Sequence, residues 1–200
     1  EEDDGPDGSR PPLLPMAGLF YGLMFAGALI WGAIEGRPPV FAPGSGSGEV
    51  DWGAHLSLGV GVGLVVVVIS ELITRFTGWG ERTAQLLGET MGPLSATEAI
   101  WLALASAIAE ELLFRGAIQP HLGLVGASLL FGVAHMAPRR ELLPWTLMAI
   151  VAGFLLGGLF ELTGNVLAPI AAHFTVNAIN LRQLSKRFAE KAEGSGPKDD

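Results

Sequence analysis

Cysteine is absent from the 200 residues. That removes any disulfide framework and any thiolate nucleophile or ligand, and it leaves the redox compartment open. Charge is scarce as well: 16% of residues are charged against 50% hydrophobic, and mean hydropathy is +0.44. Such a balance disfavours a water-soluble domain and points to a chain that crosses a membrane several times. No basic stripe runs along any segment, so nucleic acid is not an expected partner. The net charge of −8 comes mostly from the two ends, 1–7 and 190–200. No H-E-x-x-H helix is present, and no internal repeat of the kind built into many secondary transporters.

What the chain does have is long apolar runs. Six segments approach the roughly 20 residues that a membrane helix needs: about 13–34, 55–73, 95–118, 123–138, 143–161 and 164–182. The expected fold is therefore all-α, a polytopic transmembrane helix bundle. Its domains are an acidic tail over 1–12, a membrane domain over 13–182, and a basic surface helix with a polar tail over 183–200. The acidic leader lacks the basic start of a secretory signal, so 13–34 reads as a retained span. The run Val65–Val68 is β-branched, yet in lipid it must be helical, because an open strand cannot satisfy its backbone.

Of the 12 Lys and Arg residues, a six-span arrangement with both termini cytoplasmic leaves only Arg37 outside and Arg115 within the membrane. That asymmetry obeys the positive-inside rule. Trp31, Trp52, Trp79, Trp101 and Trp145 fall near span ends, as interfacial anchors do. A Pro/Gly/Ser-rich loop covers 36–54, and 81–91 reads as a short surface or re-entrant helix. Gly18/Gly22, Gly59/Gly63 and Gly153/Gly157 have the spacing that lets membrane helices pack closely.

Against this apolar ground the run Glu110-Glu111-Leu112-Leu113-Phe114-Arg115 is costly, at roughly 2.5–3.5 kcal/mol per charge in the hydrocarbon. On a helix Glu110 and Glu111 point about 100° apart, whereas Glu111 and Arg115 are four residues apart and can pair. Arg115 then reads as a structural partner of Glu111, and Glu110 is free to face the interior as a general base. A tight turn is expected near 119–123. It sets Glu110 and His135 level, each roughly 16–18 Å from the turn end of its helix. Phe131 is one turn from His135 on the same face. His173 lies about 13 Å past a turn near Gly164, with Asn177 one turn further. A His and an Asn side by side offer the N–H donors that a developing oxyanion needs. Pro169, one turn before His173, suits a kink or a widening of that span. His55, His121 and Glu161 fall at span ends, where polar side chains are ordinary.

The ordered motifs E-E-x-x-x-R at 110–115, F-x-x-x-H at 131–135 and H-x-x-x-N at 173–177 resemble the CPBP family of intramembrane proteases. That family includes the CAAX-processing prenyl endopeptidases and bacterial relatives such as the myxosortases. The resemblance covers about residues 95–181. It implies a glutamate-type endopeptidase that needs no metal or other cofactor and acts on a membrane-associated protein or peptide, with the lipid bilayer as its medium. Glu110 and His135 would activate water, His173 and Asn177 would hold the oxyanion, and Glu111, Arg115 and Phe131 would support the site. A sorting-type protease is the specific reading it suggests. Two other readings of the polar set remain open: Glu110, His135 and His173 as three ligands of a zinc ion, and a non-enzymatic transporter or scaffold with a polar relay.

Overall fold

The computed structural model describes residues 13–43 and 50–194, with side chains up to 187. The expected tails over 1–12 and 195–200 lie outside the described residues. The described residues form seven α-helices: α1 (Leu13–Ile34), α2 (Trp52–Phe76), α3 (Gly78–Met91), α4 (Ala96–Glu111), α5 (Gln119–Ala134), α6 (Leu143–Thr163) and α7 (Leu167–Gly194). A π-helical stretch, Leu112–Ile118, joins α4 to α5, and a 3₁₀ turn, Arg140–Leu142, precedes α6. Among the described residues the only extended pairing is one isolated bridge between Phe41 and Asn165. The protein is an all-α membrane helix bundle.

Among the described residues four stretches are long and apolar enough to cross a bilayer: Leu13–Ile34, Trp52–Phe76, Ala96–Ala134 and Arg140–Thr163. The third holds two of the six expected segments. Gly123 breaks it with φ +67°, a backbone conformation that costs glycine little. A straight helix would hold Glu110 and His135 roughly 37 Å apart, yet their side chains lie 3.6 Å apart. The chain therefore folds back at Gly123, where the turn was expected. The returning helix is shorter than the anticipated 123–138: it ends at Ala134, and His135 is its C-terminal cap residue with φ −94° and ψ 8°. From Leu124 it measures only about 16 Å, near half a bilayer.

The sixth expected segment is the start of α7, which does not reach the hydropathy of a span because His173, Asn177 and Asn180 interrupt its apolar residues. The basic segment beyond 182 continues the same helix as far as Gly194. Helix α7 packs chiefly against α2 and α4. A Cβ on Gly59 would come within 2.3 Å of the Ala168 carbonyl oxygen, and one on Gly63 within 2.8 Å of that of Ala172. These two glycines let α2 and α7 approach backbone to backbone, the packing expected of small residues in lipid. Gly22, from the first such pair, faces open space.

Helix α3 starts at Gly78, three residues earlier than anticipated. The Thr77 side chain caps it by accepting a hydrogen bond from Gly80 N. Ser95 and Glu98 form a reciprocal capping box at the start of α4. Together these caps fix α3 across one end of the bundle, beside α2, α7 and the start of α6.

Candidate active site

The π-helical stretch begins one residue after Glu111 and carries Arg115. Arg115 presents its fork to one carboxylate: Nε lies 3.1 Å from Glu111 Oε2, and Nη1 donates to Glu111 Oε1 at 3.1 Å. Nη2 donates to the Gly153 carbonyl of α6 at 3.3 Å. The guanidinium also sits 4.4 Å above the Phe131 ring, a favourable cation–π placement. Arg115 and Glu111 are 1% and 0% exposed. A buried pair of this kind balances its desolvation only with close geometry and hydrogen bonds; Glu111 Oε1 accepts two, while Oε2 has only its 3.1 Å ion contact with Arg115 Nε.

Glu111 does more than pair with Arg115. His173 donates from Nδ1 to Glu111 Oε1 at 2.7 Å. His135 donates from Nδ1 to the Phe131 carbonyl oxygen at 2.8 Å, and the two rings lie 4.4 Å apart. Since a carbonyl oxygen and a carboxylate both accept, each imidazole carries its proton on Nδ1 and turns Nε2 elsewhere. Both Nε2 atoms face the same oxygen, Glu110 Oε2, at 3.6 Å for His135 and 4.0 Å for His173. Glu110 Oε2 is buried and has no hydrogen-bond partner among the described residues.

Glu110, His135, His173 and Asn177 all line one cavity of about 460 Å³. Asn177 donates from Nδ2 to Ser106 Oγ at 3.0 Å, and Ser106 Oγ donates to the Ala103 carbonyl oxygen. One of the two amide hydrogens of Asn177 is thereby engaged. All seven residues singled out in the sequence meet here: Phe131 lines the cavity beside Glu110, His135, His173 and Asn177, and Glu111 and Arg115 are packed behind them. His55, His121 and Glu161 lie elsewhere and are bound to Asn165, Glu35 and Gln119. Among the described residues no three His, Asp or Glu side chains converge as a metal set.

Two site residues escaped the sequence reading. Trp145, expected as an interfacial anchor, stands edge-on to His135 at 5.9 Å between ring centroids and walls the cavity. Tyr21 brings the first helix into the site, where it lines the cavity with Ser106. As the only tyrosine of the chain, within an otherwise apolar run, it was the signal available for α1.

Residues 92–179 match the family described as Rce1-like, type II CAAX prenyl endopeptidases. The matched stretch contains all seven site residues, while α1, α2 and α3 precede it. A Bacillus subtilis protein, the uncharacterised YpbD, is 45% identical over 87 residues, which is 42% of this chain and 44% of YpbD. The chain thus spans less than half the length of that relative. No solved structure matches the chain significantly. The matched family is one of endopeptidases, and the long apolar helices among the described residues together with this match mark an integral membrane protein.

Proposed function

We propose that this chain is an intramembrane endopeptidase that hydrolyses a peptide bond in a membrane-associated substrate through water activated by Glu110 and His135. The observation that carries the reading is the unpartnered, buried Glu110 Oε2 facing two imidazole Nε2 atoms at the inner end of a cavity. Polar contacts beyond 3.5 Å are the distances at which a water oxygen bridges. That is where the nucleophile would sit.

Charge and tautomer divide the roles. With both Nδ1 protons donated outward, two bare nitrogen lone pairs confront a carboxylate oxygen, which is repulsive unless a proton lies between them. Glu110 and Glu111 bring two negative charges against the one positive charge of Arg115, so one further proton shared within the trio neutralises the set. Placed on His173 Nε2, and held by Glu111 through Nδ1, it makes a donor for an oxyanion. The free amide hydrogen of Asn177 supplies a second. Glu110, with His135, takes a proton from water as its oxygen adds to the scissile carbonyl. That proton passes to the leaving nitrogen as the C–N bond breaks, giving a carboxylate and an amine. Arg115 and Phe131 position Glu111 and His135 and do not touch the reacting atoms.

Reconstitution of the purified chain with tagged apolar membrane peptides tests the reading. Glu110→Gln should abolish cleavage with the fold retained, and cleavage that survives it would sink the assignment. Activity lost on exhaustive chelation, and restored by zinc, would instead favour the metalloprotease reading. A bacterial inner-membrane location, cytoplasmic termini and a sorting-type substrate belong to the same proposal. Proteomics of a deletion strain, read for surface proteins with uncut C-terminal segments, checks them.

A further inference from the structure

Helix α1 lies outside the matched stretch, and Leu19, Phe20 and Leu23 on its outer side are exposed. One stripe at helical spacing, Gly18, Tyr21, Met24 and Ala28, turns inward instead. A Cβ on Gly18 would lie 3.2 Å from the Trp101 ring of α4. Met24 packs against the cluster of Phe114, Phe131 and Ala149, and Ala28 is fully buried with Leu112 and Phe160. Tyr21 falls between these contacts, so it stands opposite the part of α4 between Trp101 and Leu112. Ser106 and Glu110 are in that part, and both share the cavity wall with Tyr21.

Hydrogen-bond donors are scarce on this wall. Ser106 gives its single hydroxyl proton to the Ala103 carbonyl oxygen and accepts from Asn177. An ionised Glu110 only accepts, and His135 Nδ1 is spent on the Phe131 carbonyl oxygen. Asn177 keeps one amide hydrogen. Tyr21 adds a neutral O–H, which turns about its C–O bond without moving the ring. An ordinary phenol pKa of about 10 keeps that proton in place at neutral pH. A phenol amid apolar residues is unfavourable unless its hydroxyl meets a polar group, and the lipid-facing side of α1 offers none.

We propose that Tyr21 is a catalytic residue, a third hydrogen-bond donor to the oxyanion beside His173 and Asn177, supplied by α1 from outside the matched stretch. The role rests on the reading of this chain as a peptidase. As the water oxygen adds, negative charge moves onto the scissile carbonyl oxygen, and the phenol turns its proton to that oxygen. It turns away again when the C–N bond breaks, and Tyr21 transfers no proton. Such a donor gains strength as the charge forms, so it lowers the barrier more than it tightens the substrate.

Tyr21→Phe keeps the ring and removes the donor. In the reconstituted chain kcat should fall by about 10²-fold, with KM changed by less than about twofold and melting as in the parent. A peptide with a phosphinate in place of the scissile amide carries the tetrahedral anion. On the Glu110→Gln background, adding Tyr21→Phe should weaken that peptide about tenfold and leave its amide counterpart unchanged. Because Tyr21 is the only tyrosine, growth on 3,5-difluorotyrosine alters this one ring. Its more acidic phenol should make kcat fall at a lower alkaline pH than in the parent. Glu110, His135 and His173 near Tyr21, and Glu71 and Arg187 at the far end of the cavity, are common to both proteins, so the displacement between the two profiles reports Tyr21. Cleavage lost in Glu110→Gln but unaltered in Tyr21→Phe, or a fluorinated protein with the parent's profile, would overturn the role and leave the peptidase reading intact. Equal weakening of phosphinate and amide peptides would overturn it too, leaving Tyr21 as a wall of the cavity. If the parent cleaves nothing, a phosphinate preference that depends on Tyr21 would refute the peptidase reading and keep the donor, and no such preference would overturn both.

Discussion

The chain uses the same three chemical groups twice, in two surroundings. Inside the bundle Glu111 holds Arg115 and His173, all three buried. At the end of α1, Glu35 holds Arg37 at 2.7 Å and His121, and accepts from Trp31 Nε1 at 2.7 Å. In both places a carboxylate gathers a guanidinium and an imidazole. The difference is water. Around Glu35 every member is partly exposed, so solvent screens the charges and replaces any lost partner. Around Glu111 solvent cannot do so, and each charge depends on its neighbours for what hydration would otherwise supply. The inner set therefore holds an imidazole in one tautomer and one orientation, which a screened surface set cannot.

If burial is what separates the two, the carboxylate-to-amide change should have opposite weights in them. Glu111→Gln removes the partner of a buried guanidinium and of a buried imidazole together. We expect a loss of roughly 3–5 kcal/mol of stability, together with loss of cleavage, because His173 is no longer held. Thermal unfolding beside a cleavage assay checks both, and a variant that melts like the parent would end the comparison. Glu110→Gln should cut the rate by about 10²–10⁴ while melting close to the parent, since Glu110 Oε2 has no hydrogen bond to lose. If both variants unfold alike, Glu110 is structural too. Asn177→Ala should lower kcat by about 10²–10³ if the amide donates to the oxyanion. Ser106→Ala removes only the acceptor that orients Asn177 and should cost less. A rate unchanged in Asn177→Ala would leave that residue as a link between α4 and α7.

Much of the inner set was legible because it rests on helical arithmetic. The i,i+4 spacing predicts the Glu111–Arg115 pair, and counting back from a glycine-marked turn places Glu110 level with His135. The same arithmetic is blind to contacts that depend on how helices rotate against one another. Glu111 to His173 spans 62 residues and Asn177 to Ser106 spans 71, and no periodicity links them. The π-helical stretch left no mark either, since Leu112–Ile118 reads as ordinary apolar helix. It changes the rotation of Arg115 relative to Glu110 by widening the turn. Trp145 was read for its place near a span end, which hid its contact with His135. The early stop of α5 was legible in Gly132, Val133 and Pro138, poor helix formers and a breaker near its end, but hydrophobicity alone carries the expected segment through to 138. The course of the chain after His135 ends that helix.

The outer set supplies the smallest expected effect and the sharpest control. The hydrogen bond from Trp31, with help from Arg37 and His121, holds the Glu35 carboxyl below its ordinary range. A carboxylate with a lowered pKa binds fewer protons folded than unfolded, so its contribution is present above the ordinary carboxylate range. It is lost as pH falls through the lower, folded value. Glu35→Gln should therefore shift the melting temperature slightly at about pH 7, and the shift should fade as pH falls below the ordinary carboxylate range. High salt should shrink the shift further, and cleavage at neutral pH should be untouched. Arg37 also donates to the Gly116 carbonyl of the π-helical stretch at 3.1 Å, which gives this surface set a route to the interior. A rate that falls in Glu35→Gln and is not restored by salt or pH would mean that the surface set steers the π-helical stretch. The two clusters would then be one coupled system rather than a screened latch and a buried site.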